Sequence, residues 1–179
     1  MNYDTRTLAA AEVRFAITED GEFTGYASVF GEPDSYGDTI KPGAFKKAVA
    51  SKSKPAMFWQ HDSREPIGAW LDLAEDSRGL KVKGKLVLEV PRAASAHALI
   101  KADALNGLSI GFRALASERG PNGGRVLTSI DLIEISLVSL PAASKARITG
   151  VKGTAGAAGL AAFTETVRRT VAAIKGNTL

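Results

Sequence analysis

Residues 107–112 read GLSIGF, and the way they alternate decides what kind of element stands here. Leu108, Ile110 and Phe112 fall on one side of a two-residue period and Gly107, Ser109 and Gly111 on the other, the spacing of a β-strand. The second face is stripped to one hydroxyl between two glycines. Glycine inside a strand gives up packing and costs backbone entropy, so it marks a place where another backbone or a ligand comes close. Ser109 is therefore the first candidate for chemistry. GLSIG also fits G-x-S-x-G, the serine-bearing turn of α/β-hydrolases, but that fold places its histidine after the serine. Both histidines, His61 and His97, precede Ser109, which excludes it.

The neighbouring segments repeat the two-residue period. VLTSIDLIEISLVSL, residues 126–140, predicts a long alternating strand stopped by Pro141, and GPNGG before it a turn. EVRFAIT and EFTGYASVF read as a hairpin within residues 12–30, GAWLDLAED and LKVKGKLVLEV as a second antiparallel pair joined around Ser77–Gly79, and MFWQH as a buried aromatic strand. Helical spacing occurs in RAASAHALIKADAL after Pro91 and, more briefly, in GAFKKAVAS, with Pro42 in its first turn. The expected fold is α+β, a mostly antiparallel barrel-like sheet with two or three helices. Residues 1–150 are expected to form one domain. Residues 151–179 read as a flexible Gly/Ala linker, GTAGAAG, followed by a basic helix with Leu160, Phe163, Val167, Val171 and Ile174 on one face.

Composition narrows the class. With 179 residues, 45% hydrophobic and 23% charged, the chain can bury a core of its own, and no apolar run approaches the roughly 20 residues that cross a bilayer. The start, MNYDTRTLAAAEVRF, lacks the basic and apolar regions of a secretory signal, which predicts a cytoplasmic protein. There is no cysteine, so thiol catalysis, disulfides and cysteine-ligated metals are excluded. Residues 141–179 carry six basic residues against Glu165 alone, more than the whole net charge of +4. Such a tail suits nucleic acid, an acidic protein surface, or merely solvent.

A nucleophilic serine needs a base, and the base needs an orienting group. His61 stands at the end of MFWQH before the turn-like DSREPIG, packed on one side and open on the other. His97 lies in an alanine-rich helix and is expected to face solvent. For the third group Glu134 shares a strand face with Leu132, Ser136 and Val138, where a carboxylate wants a partner. An exposed glutamate on a half-solvated sheet fits the same pattern, and Asp62, Glu65, Asp72 and Asp131 are further orienting candidates. A metal site from His61, Asp62, Glu65 and His97 lacks H-E-x-x-H or comparable spacing.

Four ordered blocks, FTGYASVFGEPDSYGDTIKPGAF (23–45), MFWQHD (57–62), GLSIGF (107–112) and IEISLVSLPA (133–142), together resemble the prohead protease family of tailed bacteriophages. The resemblance implies a fold related to the herpesvirus capsid-maturation protease. It implies a serine endopeptidase that cuts scaffold or major capsid precursor segments inside assembling proheads in the host cytoplasm, with processing of itself. Ser109 would be the nucleophile, His61 the base and Glu134 the third member. No cofactor and no metal are implied. The loop SLPAASKARI offers Lys145 and Arg147 where the relatives carry oxyanion-hole arginines, at imperfectly matching positions, and the donors stay unassigned. The two glycines beside Ser109 would clear space for a substrate backbone. Self-association is left open, as are an inactive homologue and a non-enzymatic scaffold-binding module with a basic tail that grips nucleic acid or acidic protein.

Overall fold

The alternating stretches fold as strands. The computed structural model describes residues 17–120 and 123–150. In chain order these form β1 (Glu22–Val29), β2 (Thr39–Ile40), α1 (Lys46–Ala50), β3 (Ala56–Trp59), β4 (Asp62–Glu75), β5 (Gly79–Leu86), α2 (Pro91–Lys101), β6 (Gly107–Arg119), β7 (Arg125–Val138) and β8 (Ile148–Gly150). In β5 the period is plain: Leu80, Val82 and Leu86 are buried, while Lys83 and Lys85 reach ion pairs with Glu22 and Asp20 at 2.7 and 3.0 Å. The expected β4–β5 pair is antiparallel, from Gly68↔Leu86 to Glu75↔Leu80.

β7 is the strand around which the site is built. One edge pairs antiparallel with β6 along nearly its whole length. The other edge carries β2 at Val126 and Leu127 and β3 at residues 134–137, both parallel. These parallel pairings join segments far apart in the chain, so no local pattern announces them. The sheet runs β7–β3–β4–β5–β1–β8. The approach to β8 then meets the start of β6: Leu108 N–H donates to Ala146 O at 3.0 Å, Ile148 N–H to Asn106 O at 2.9 Å, and Gly107 bridges Arg147. The ring of strands thereby closes on itself as a barrel. Phe23, Met57, Ile67, Leu86, Leu108, Ile135, Leu137 and Ile148 fill it, and Phe23 meets Trp70 edge-on at 5.7 Å. Each such side chain contributes roughly 1.5–3 kcal/mol by leaving water.

Both helices are shorter than the sequence suggests. α1 starts at Lys46 instead of Pro42 because Gly43 sits at φ 92°, outside the helical region. α2 has Pro91 at its first turn as expected and buries Ala93, Ala96 and Ile100, but it stops at Lys101, and Asp103 turns left-handed at φ 56°. The first arm of the expected 12–30 hairpin falls largely outside the described residues, and β1 pairs with β5 and β8. Part of the GPNGG turn and all of residues 151–179 also lie outside them.

Candidate active site

β3 ends at Trp59 and β4 begins opposite it at Asp62, which leaves a two-residue turn made of Gln60 and His61. Both have positive φ, 52° and 62°, the condition for the twist-matched turn that usually recruits glycine or asparagine. Non-glycine residues hold that conformation at a cost, and such strain persists only where the surroundings enforce it. Here β7 enforces it. Gln60 N–H donates to Leu137 O at 2.9 Å, and the Gln60 amide Nε2 donates to Ser139 Oγ at 2.8 Å.

The turn delivers the imidazole of His61 to Glu134. Nδ1 lies 2.6 Å from Glu134 Oε1. A carboxylate only accepts, so this contact places the proton on Nδ1 and leaves Nε2 as the basic nitrogen of the neutral ring. The second carboxylate oxygen, Oε2, accepts the Ser136 hydroxyl at 2.5 Å. Glu134 is 8% exposed and Ser136 fully buried, so both carboxylate oxygens are engaged away from bulk water. Ser136 was missed as a partner in the sequence. Its position two residues from Glu134, on the same strand face, was the available signal.

The glycines beside Ser109 serve a different purpose from the expected one. In the β6–β7 register Gly111 faces Glu134, Ser109 faces Ser136 and Gly107 faces Val138. A Cβ on Gly111 would collide with Glu134 Oε1 and come within 2.9 Å of its Cγ. On Gly107 it would strike the Val138 carbonyl. The bare face makes room for β7 and its carboxylate, and the expectation of clearance for substrate is corrected accordingly.

Ser109 is 7% exposed, and its hydroxyl makes no hydrogen bond among the described residues. It lines a cleft of about 840 Å³ together with His61, whose side chain is 44% exposed. The cleft opens between the end of β1 and β6. It is walled by the turn at residues 33–38 and the loop at 139–143. Ser109 and His61 thus share one cavity without a direct hydrogen bond, as is common for catalytic pairs without substrate. In that loop the N–H groups of Leu140, Ala142 and Ala143 donate to nothing among the described residues.

The other candidates disperse. Asp62 pairs with Arg64, which holds its carboxyl down at about 2, Glu65 with Arg92 and Asp131 with Lys47, while Asp72 points outward from β4. His97 is half-buried instead of solvent-facing, because its Nε2 meets Thr18 O at 2.9 Å and ties α2 to the chain before β1. Lys145 pairs with Glu32. Arg147 buries its Nη1 without a partner, and desolvation pulls its pKa below the usual guanidinium range. Neither lines the cleft. No trio of metal-ligating side chains occurs among the described residues, and none of their helices is long and apolar enough to cross a membrane.

A closed barrel with a histidine–carboxylate pair and a serine in one cleft defines a serine-hydrolase type of site. Its fold is shared with the KSHV protease, whose crystal structure with a hexapeptide phosphonate inhibitor superposes with a TM-score of 0.51 at 16% identity, over 72% of this chain and 64% of that one. The sequence pattern of the caudovirus prohead serine proteases matches residues 8–158, and the chain belongs to that family of peptide-bond hydrolases. It is 40% identical over 155 residues to the prohead protease of Enterobacteria phage HK97, spanning 82% of this chain and 68% of that protein. It is 33% identical over 154 residues to a capsid polyprotein of Pseudomonas phage PAJU2, of which it spans 22%.

Proposed function

We propose that Ser109, His61 and Glu134 form the catalytic triad of this protease, and that its substrates are scaffold or capsid-precursor segments inside the assembling prohead. The observation that carries the triad is the 2.6 Å contact between His61 Nδ1 and Glu134 Oε1, which leaves Nε2 as the basic nitrogen of a side chain that lines the same cleft as Ser109. His61 Nε2 takes the Ser109 proton as the oxygen attacks the scissile carbonyl. The imidazolium then protonates the departing amine, and water, activated by the same nitrogen, hydrolyses the acyl-serine. Glu134 fixes the tautomer and stabilises the imidazolium, and Ser136 holds the carboxylate in place.

The kinship with a capsid polyprotein favours a capsid precursor as substrate, since protease-like and capsid sequence are there one gene product by name. Residues 1–150 constitute the protease domain in this reading, and 151–179 a basic tail that addresses the enzyme to its scaffold and is removed by self-cleavage. Mass spectrometry of the purified chain and of Ser109→Ala, each alone and mixed with capsid precursor, tests the proposal. Fragments are expected with wild type and none with Ser109→Ala. Equal cleavage by both would exclude Ser109 as nucleophile.

A further inference from the structure

The hairpin that carries His61 is irregular close to the turn. Trp59 faces Asp62 and Phe58 faces Pro66, which leaves Ser63, Arg64 and Glu65 of β4 with no β3 residue opposite them. A bulge of this kind re-aims nearby side chains, and it interrupts the ladder that would otherwise hold them. Asp62 closes part of the bulge by accepting the Arg64 backbone N–H at 2.9 Å and its guanidinium at 3.0 and 2.8 Å. Those contacts stay within β4 and add nothing between the two arms.

Helix α2 bridges the arms instead. Arg92, in its first turn, sets Cζ over the Trp59 ring at 5.6 Å from the centroid, and its Nε donates to Glu65 Oε2 at 3.4 Å. One guanidinium thus touches the last residue of β3 before the turn and the bulge of β4 after it. Its backbone is fixed from behind, because Ala93, Ala96 and Ile100 bury the inner face of α2. Trp59 in turn is half-buried against the core and lies beside Leu137 of β7. Gln60 and His61, both left-handed, stand between Trp59 and the bulge.

The Arg92 and Glu65 side chains are 45% and 37% exposed, so water screens their pairing and it contributes little to stability. Its consequence is for orientation. A guanidinium over an indole face restrains the ring, and the ring is covalently next to the turn that aims the imidazole.

Resting on the protease reading, we propose that Arg92 is a positioning residue for His61: through Trp59 and the Glu65 bulge it keeps the β3–β4 turn in the geometry where Nδ1 meets Glu134. Helix α2 is thereby part of the catalytic support, although none of its residues lines the cleft.

The test compares cleavage of capsid precursor and melting temperature for wild type, Arg92→Ala, Arg92→Lys and Lys101→Ala. Lys101 pairs with Glu19 at the other end of α2, at 2.7 Å, and controls for loss of a surface ion pair on the same helix. Arg92→Ala is expected to lower kcat about threefold to tenfold with KM little changed. Arg92→Lys, which keeps the charge without the flat guanidinium, should recover part of that, and Lys101→Ala should match wild type. A second measurement needs no turnover. In Ser109→Ala protein the His61 Nδ1 proton, held by Glu134, should give a far-downfield proton NMR resonance, identified by its loss in Ser109→Ala/His61→Gln. Adding Arg92→Ala should broaden or abolish that resonance while the melting temperature moves little. Wild-type kcat in Arg92→Ala, an equal loss in Lys101→Ala, a loss of kcat accounted for by unfolding, or a resonance that is missing in the parent or indifferent to Arg92 overturns the inference. A resonance that responds to Arg92→Ala, combined with no Ser109-dependent cleavage by wild type, would sink the protease reading and leave the brace standing.

Discussion

At Gly111 the lack of a methyl group decides whether Glu134 can meet His61. The Glu134 side chain crosses the face of β6 where a Cβ on Gly111 would stand, so β6 and β7 pack here through this gap. Gly111→Ala is expected to displace the carboxylate and lower kcat by up to about a hundredfold, since a 1 Å error in a catalytic group costs that much. The melting temperature should move far less than for a core substitution; a large loss of stability with normal kcat per folded molecule would refute the role. Glu134→Gln keeps the side-chain shape, removes the charge and presents the wrong partner to Nδ1. By the behaviour of such triads, kcat should fall about 10⁴-fold while KM changes little. GLSIGF showed which face was bare, but what filled the space depended on β7 lying opposite with Glu134 at Gly111, a register no run of six residues specifies.

At the scale of the element, the β3–β4 turn is a strained hairpin clamped from the side. Gln60 and His61 occupy left-handed conformations that side chains disfavour, and the Gln60 amide grips Ser139 at the end of β7. Through that grip the turn that carries His61 is tied to the loop at residues 139–143, which forms one wall of the cleft. Gln60→Ala keeps the strain and loses the clamp. It is expected to lower kcat about tenfold or more with KM little changed, and Gln60→Asn, which tolerates positive φ, should recover part of it. Steady-state kinetics on a cleaved peptide, set against melting temperatures, distinguishes this positioning role from plain destabilisation. The MFWQH pattern revealed a strand but placed its end at His61, two residues beyond Trp59 where β3 stops. The left-handed turn was illegible because neither Gln60 nor His61 is a turn former, and tertiary hydrogen bonds override their preference.

For the whole molecule, the tie between β1 and the β4–β5 turn gives stability a defined pH response. Tyr26 donates its hydroxyl to Asp76 Oδ2 at 2.6 Å, and Asp76 also accepts the N–H groups of Arg78 and Gly79 at 2.8 and 3.1 Å. The Tyr26 bond, above the other contacts, lowers the Asp76 pKa from 3.8 and raises that of Tyr26 from 10.0. Below about pH 4 the unfolded chain binds the proton more readily than folded Asp76, so this contribution to stability is full above that pH and fades as acid titrates the folded carboxylate. The Tyr26 contribution is present below about pH 10 and is lost as pH rises through the raised folded value. Thermal melts from pH 2 to 11 should show both declines, and Asp76→Asn should flatten the acid one; an unchanged acid limb would contradict this account. By itself the sequence determined the longer strands, though not β2, β8 or the start of β4 in the turn-like DSREPIG, together with the place of the longer helix and the three residues offered for catalysis, because alternation and helical spacing are local consequences of burying one face. Only the tertiary structure decided the parallel edges of β7, the closure of the barrel through residues 146–148, and the meeting of His61 with Glu134. Those depend on contacts between segments far apart in the chain, which only the packed core brings into register.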